Sequence, residues 1–165
     1  MHSKLYLLCP TDCLESVINN FYESENYFYT SLGNSVVFSD AVIHQITKLV
    51  HQNKITEICF VLSHDNKIIN DAIENQDFIA VRGLNTFYKK INSQKEYSQI
   101  LSQTHYNHYF MVSYYLNGKI KELNLKLQNR IKHSITFSGK IYNRFENTFS
   151  TIYSELILIE KHQLN

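Results

Sequence analysis

Polar and ionisable side chains that could do chemistry gather in three short segments, residues 9–13, 32–34 and 63–67. The first segment holds two thiols, Cys9 and Cys13. We expect Cys13 to lie in the first turn of a helix, where the helix dipole favours the thiolate over the thiol. We interpret Cys9 as a buried thiol at a strand end and favour inert packing of both cysteines, with a thiol redox pair as the alternative.

The other two segments add an amide, an imidazole, a carboxylate and an amine. The full set of candidate pocket residues is Cys9, Asp12, Cys13, Asn34, His64, Asp65 and Lys67. Lys67 is interpreted as a solvated lysine at a helix start; if it points into a pocket formed by these segments, its ammonium would favour an anion there. His64 has the alternative interpretation of a hydrogen-bonded histidine at a strand end.

Each segment follows a run of residues that predicts a β-strand, and apolar residues at helical spacing come next. The predicted strands cover residues 4–8, 26–30 and 54–62. The predicted helices are residues 13–21 capped by Thr11 or Asp12, a helix capped by Ser39 or Asp40, and residues 66–75. Alternating strands and helices predict a parallel sheet, whose carboxyl ends meet at one edge and form the ligand site.

The second half predicts two helices, residues 93–102 and 105–127, with a break at Gly118. Alternating apolar residues over 134–142 and 148–153 predict an antiparallel hairpin. The predicted fold class is therefore α/β, with three layers: a mainly parallel central sheet flanked by helices, and a C-terminal antiparallel hairpin.

Two further groups of residues favour packing over chemistry. Cys59 lies within an apolar run and is predicted to be a buried thiol. His105 and His108 lie one helical turn apart, but no carboxylate accompanies them at matching spacing, so they do not predict a metal site.

Composition limits the class of protein. A length of 165 residues predicts a single domain over residues 1–165. The net charge of +1 argues against a nucleic-acid binder, which needs clustered positive charge. No apolar run approaches the ~20 residues of a membrane span, so we expect no membrane association and a cytoplasmic location.

Taken in order, these segments resemble those of the β-class carbonic anhydrases. Where that family has Cys-x-Asp-Ser-Arg, residues 8–13 read Leu-Cys-Pro-Thr-Asp-Cys. The family's Arg-Asn-Ala-Gly-Asn corresponds to Thr-Ser-Leu-Gly-Asn at 30–34, and its Gly-His-x-x-Cys to Ser-His-Asp-Asn-Lys at 63–67. Its His-Gly-Trp-x-Tyr-Asp is similar to Ser-Gly-Lys-Ile-Tyr-Asn at 138–143. The resemblance covers residues 4–152 and implies the family's fold.

The resemblance also implies what chemistry has been lost. The family binds zinc through two cysteines and a histidine, and the metal activates water for attack on CO2. Cys9 and His64 take two of these positions, but Lys67 replaces the last cysteine. An ammonium ~4 Å from a dication would repel it by on the order of 8 kcal/mol at an effective dielectric of 20. We therefore expect no zinc, only vestigial ligand positions at Cys9 and His64, and no catalytic residue.

The acid and the arginine of the family's first motif are also altered. Without a gap, Thr11 takes the acidic position, and an insertion of one residue would restore Asp12 there. No arginine follows either residue, and Arg82, Arg130 and Arg144 all lie far along the chain.

These substitutions predict a non-catalytic carbonic-anhydrase-like protein that binds a small anion or a protein partner at the strand-end pocket. We expect a homodimer, as family members commonly form dimers or larger assemblies, and no cofactor. One alternative is a zinc enzyme of the carbonate dehydratase type that uses Cys9, His64 and either Cys13 or Asp65. A thiol redox protein that uses Cys9 and Cys13 is the other alternative.

Overall fold

The central sheet is built from the runs in which β-forming residues are most concentrated. The computed structural model describes residues 3–101 and 108–153. The strands are β1 (Ser3–Leu8), β2 (Glu25–Thr30), β3 (Ile55–Ser63), β4 (Thr136–Asn143) and β5 (Thr148–Thr151). They lie in the order β2-β1-β3-β4-β5, and every neighbouring pair is parallel except the antiparallel β4-β5 hairpin. The predicted fold class is confirmed.

Helices cover both faces of this sheet, and alternating side chains of the strands point to opposite faces. The helices are α1 (Glu15–Phe21), α2 (Asp40–Gln52), α3 (Lys67–Ile73), α4 (Asn85–Leu101) and α5 (His108–Leu127). Leu5 and Leu7 of β1 pack in the larger core, together with residues of α2 to α5. Tyr6 and Leu8 pack on the other face against Leu14 and Ile18, the latter in α1. The sheet is therefore the middle of three layers.

The start of α1 differs from the sequence prediction. Cys13 has a left-handed backbone with φ of 53°, so it ends the short 3-10 helix Pro10–Asp12 and does not begin α1. The residue before α1 is Leu14, which makes no side-chain cap. The predicted caps are wrong because the Asp12 carboxylate is bound elsewhere, and the predicted position of Cys13 in a helical turn is wrong as well.

The helices of the second half are longer than predicted. α4 begins at Asn85, eight residues before the predicted start, because Phe87, Tyr88 and Ile91 are buried at helical spacing. α5 runs through Gly118 without the predicted break. By contrast, Ser39 caps α2 as predicted, since its Oγ accepts a hydrogen bond from the Val42 amide at 3.4 Å. Within residues 3–101 and 108–153, no helix has the length and apolar character needed to cross a lipid bilayer.

Candidate functional site

Cys9 lies where β1 ends, and its thiol is buried as predicted. Its Sγ accepts a hydrogen bond from the Gly33 amide at 3.1 Å and lies 3.0 Å from the Thr11 hydroxyl. Gly33 has a φ of 57°, which strains any residue with a side chain, and an added Cβ would lie 3.0 Å from Ile68 Cγ2. Glycine at this position therefore lets the backbone approach the sulfur.

Asp12 joins the loops that follow β1 and β3. One carboxylate oxygen accepts a hydrogen bond from the Ser63 amide and the other from Asn66 Nδ2, both at 2.8 Å. Burial raises the pKa of this carboxyl, although its hydrogen bonds to Ser63 and Asn66 and the charge of Arg144 oppose the shift. Both carboxylate oxygens of Asp12 are thus engaged in hydrogen bonds within the protein.

Asn66 extends this network into α3. Its Oδ1 accepts hydrogen bonds from the amides of Ile68 at 3.1 Å and Ile69 at 2.9 Å, so Asn66 caps the helix. An asparagine cap satisfies amides that have no partner within the helix. Because the Nδ2 of the same side chain reaches Asp12, the network fixes the position at which α3 begins.

Arg144, in the turn between β4 and β5, reaches the loops at the carboxyl ends of β1 and β3. Arg144 Nε donates to Asp65 Oδ1 at 3.2 Å, and its guanidinium also donates to the Asp12 carbonyl. Burial of Asp65 is outweighed by its bonds to the Ser63 hydroxyl and Arg144, which lower its pKa. Sequence reasoning missed Arg144 because it searched only near the first motif. The predicted hairpin was the available signal, since a turn after β4 must lie at the same sheet edge.

His64 is exposed, and no hydrogen bond among the described residues joins its side chain to Cys9. Its backbone amide donates to the Tyr142 carbonyl at 2.8 Å, and its ring centroid lies 5.1 Å from that of His108. His108 Nε2 is 2.8 Å from Asn70 Oδ1, while its Nδ1 is buried and has no hydrogen-bond partner among the described residues. Burial and the neighbouring His64 lower the pKa of His108 to about 4. His105 lies outside the described residues.

The remaining predicted site residues are placed separately. Asn34 is fully buried and its Nδ2 donates to the carbonyls of Leu7 at 3.2 Å and Val61 at 3.0 Å, so it ties β1 to β3. Lys67 is exposed in the first turn of α3. Cys13 is exposed, and its thiol lies 3.5 Å from the Pro10 carbonyl.

The structure therefore divides the predicted pocket into three parts. Asp12 and Asp65 meet at Arg144, Cys9 meets Gly33 beside Asn34, and His64 meets His108. Among the residues that the structure describes, no three histidine, cysteine, aspartate or glutamate side chains are gathered in a way that could hold a metal ion.

Comparison with known proteins decides the kind of fold. No protein-family model and no curated protein matches the chain. The solved β-carbonic anhydrase CafD of Aspergillus fumigatus superposes with a TM-score of 0.69 at 14% identity, over 93% of this chain and 90% of that one. This chain has the β-carbonic anhydrase fold. The resemblance seen in the sequence is confirmed at the level of the fold.

Other β-carbonic anhydrases give the same result. A tetrameric enzyme of Sordaria macrospora superposes with a TM-score of 0.71 at 12% identity, over 92% of this chain and 80% of that one. The Coccomyxa enzyme, solved with acetazolamide, has a TM-score of 0.70 at 13% identity, over 92% and 72% of the two chains. The β-carbonic anhydrase fold here thus accompanies a sequence that differs from these enzymes at most positions.

Proposed function

We propose that this chain is a non-catalytic protein on the β-carbonic anhydrase fold, without the zinc site of those enzymes. The observation that carries the proposal is the amine of Lys67 at the position of a ligand thiolate. A structural or catalytic zinc site needs at least three protein ligands, and thiolate ligands also supply the negative charge that a dication requires. Lysine supplies a positive charge at that point instead.

The other residues near the strand ends do not fit a zinc ion either. Cys9 Sγ already accepts a hydrogen bond from Gly33, and its surroundings are apolar. His64 is exposed, and its ring contacts that of His108, a neighbour that the family motif does not include. Asp12 uses both carboxylate oxygens on Ser63 and Asn66. Each of these three side chains therefore already contacts another part of the fold.

The proposed role is therefore binding, with a small anion or a protein partner at the strand ends as the ligand class. Lys67 and Arg144 both bring positive charge to this edge of the sheet, and Lys67 is exposed to solvent. Asp65 pairs with Arg144, whereas Lys67 is in none of the ion pairs formed among residues 3–101 and 108–153. The exposed ammonium of Lys67 is the contact proposed for an anion at this edge.

Metal content and activity test the proposal directly. The full chain, purified without chelators or added zinc, is expected to contain far less than one zinc per molecule. Its CO2 hydration rate, measured by stopped flow before and after zinc addition, is expected to equal that of buffer. A solved β-carbonic anhydrase handled in the same way is the positive control. One tightly held zinc per chain, or hydration above buffer, would instead support the altered zinc enzyme.

A redox role for the two thiols has a separate test. Thiol titration of the denatured chain, in which the buried Cys9 and Cys59 can react, is expected to give three free thiols with and without prior treatment with reductant. Loss of two thiols without reductant would favour the thiol redox alternative. A Cys13→Ser variant serves as the control, because it cannot form the Cys9–Cys13 disulfide.

We also propose that the chain forms a homodimer. The loop between α3 and α4 exposes three large apolar side chains, Phe78, Ile79 and Val81, with 43%, 47% and 40% of their surfaces accessible. Apolar residues gathered in this way are typical of protein–protein contacts. The Sordaria macrospora enzymes of the same fold are tetrameric. A second copy of this chain is the partner proposed for this loop.

A further inference from the structure

A small cavity lies away from the strand-end motif residues, between the segment after Asn34 and helices α4 and α5. Its volume is about 100 Å³. Its lining residues are Ser35, Val37, Thr86, Phe87, Lys90, Tyr115, Lys119 and Glu122. One part of this wall is apolar or aromatic and the other is charged. Val37, Thr86 and Lys90 are exposed, so the cavity opens to solvent at that side.

The charges around this cavity do not balance. The side chain of Lys119 is only 6% exposed, and its Nζ lies 3.4 Å from Glu122 Oε2. Lys90 Nζ lies 4.0 Å from the same oxygen, so one carboxylate serves two ammonium groups. The lining residues therefore carry two ammonium groups and one carboxylate, and the surplus positive charge lies at the half-exposed Lys90.

Other contacts of Lys119 place its amine firmly beside the cavity. Its Nζ donates to the Val36 carbonyl and lies 4.4 Å from the centre of the Phe38 ring. Burial lowers the pKa of Lys119, and Lys90 and Lys126 lower it further while Glu122 opposes the shift.

We propose that this cavity binds a small organic carboxylate. The excess ammonium charge of Lys90 and Lys119 would attract the carboxylate group, while Phe87 and Val37 offer an apolar surface for a short carbon chain. The part of a ligand that this cavity can enclose is small, since a closed cavity of about 150 Å³ holds a molecule of the size of benzene. Propionate has the size and the mixed polar and apolar character that the wall requires.

The cavity is also connected to the strand-end segments. Tyr115, which lines it, donates its hydroxyl to the Asn34 carbonyl at 2.9 Å. The neighbouring Gly33 donates its amide to Cys9 Sγ. A carboxylate bound here would therefore contact the residue that holds the turn beside the buried thiol. The carboxylate site does not depend on whether the chain lacks zinc.

Calorimetric titration of the full chain with propionate tests the site, with sodium chloride at equal ionic strength as the reference. We expect saturable propionate binding that Lys90→Gln weakens by roughly three- to tenfold, the effect of removing one nearby charge at a partly exposed site. Lys89→Gln is the matched control. It removes the same charge from the next position of α4, whose residue does not line the cavity.

Amide shifts in NMR spectra add a second measurement. Propionate is expected to shift the signals of Ser35, Thr86 and Lys90 in the native chain. In Lys90→Gln, the signals of Ser35 and Thr86 are expected to shift only at roughly three- to tenfold higher propionate concentration. Absence of saturation above the chloride reference overturns the proposal, as does equal weakening by the two lysine variants. Inorganic phosphate that binds as tightly as propionate would overturn the assignment to a carboxylate. None of these results bears on zinc content or CO2 hydration.

Discussion

At the scale of single residues, Asp12 is the best test of how the strand ends are held. Two donors, the Ser63 amide and Asn66 Nδ2, face its two oxygens. An Asp12→Asn variant would set an NH2 donor against one of them. We expect the free energy of unfolding to fall by about 2 kcal/mol, the usual cost of an unsatisfied buried polar group. Denaturant titration measures this change.

Asp65→Asn is the matched control for this substitution. Asp65 is exposed and pairs with Arg144, and exposed ion pairs contribute at most about 1 kcal/mol. Asparagine at this position can still accept a hydrogen bond at Oδ1. Equal losses of unfolding free energy in the two variants would show that Asp12 contributes no more to stability than a surface carboxylate does.

His108 makes stability depend on pH. Its folded pKa of about 4 lies below the value near 6.5 of an unperturbed histidine. The unfolded chain therefore binds a proton from about pH 6.5 downward, while the folded chain resists it until about pH 4. We expect up to about 3 kcal/mol of stability to be present above pH 6.5 and lost as the pH falls through this interval.

Thermal denaturation of the native chain and of His108→Gln across this pH range measures the effect. Glutamine can still donate a hydrogen bond to Asn70 Oδ1, so the variant removes the titration and keeps the contact. We expect a flatter stability profile for His108→Gln. His44→Gln, at an exposed position of α2, is the control. A native profile without a decline below pH 6.5 would contradict the prediction.

Residues of the candidate site differ in how far the sequence could predict them. The burial of Cys9 and the turn at Gly33 follow from local features, an apolar strand that ends and a glycine after the next strand. Arg144 reaches Asp12 across 132 positions of the chain, and only the register of β3 and β4 determines that contact. The contact between the rings of His64 and His108 likewise depends on where α5 packs.

At the scale of elements, the strands and α2 were predictable because their apolar residues recur with clear periods. The start of α1 was not, since the Asp12 side chain is used by Ser63 and Asn66 and no longer caps a helix. Gly118 was misjudged for another reason. A helix packed along much of its length tolerates a glycine, whose cost relative to alanine is only about 1 kcal/mol.

Two glycine substitutions test these local requirements. Gly118→Ala has open space around its new Cβ, and we expect a gain of about 0.5–1 kcal/mol in unfolding free energy. Gly33→Ala would combine a left-handed backbone with a contact of 3.0 Å to Ile68, and we expect a loss of about 1–3 kcal/mol. Denaturant titration of both variants gives the comparison. A loss at Gly118 would mean that the helix is strained there.

At the scale of the whole molecule, the alternation of strands and helices predicts the sheet, and the order of the motifs predicts the family fold. The carboxyl ends of parallel strands meet at one edge of a sheet, and this rule correctly brings residues 9–13 and 63–67 together, where Asp12 contacts Ser63 and Asn66. It does not determine the direction of each side chain. That direction depends on which donors are already paired, as with Cys9 and Gly33.

Subunit association is a property of the whole molecule that the α3–α4 loop allows us to test. Asp71 holds this loop in one conformation, because its carboxylate accepts hydrogen bonds from the amides of Asp77 at 2.9 Å and Phe78 at 3.1 Å. The apolar side chains of the loop are thus presented in a fixed arrangement, which lowers the entropy lost when a partner binds. Substitution of these side chains should disturb association more than folding.

We therefore expect sedimentation velocity to show a dimer for the native chain and a monomer for the double variant Phe78→Ser, Ile79→Ser. Leu125→Ser is the control, since Leu125 is 66% exposed on α5 and belongs to a different surface. Folding of each variant is checked by circular dichroism. The double variant exposes less apolar surface as a monomer, so it should remain soluble. A native monomer at high concentration, or dissociation caused equally by Leu125→Ser, would rule out this loop as the dimer contact.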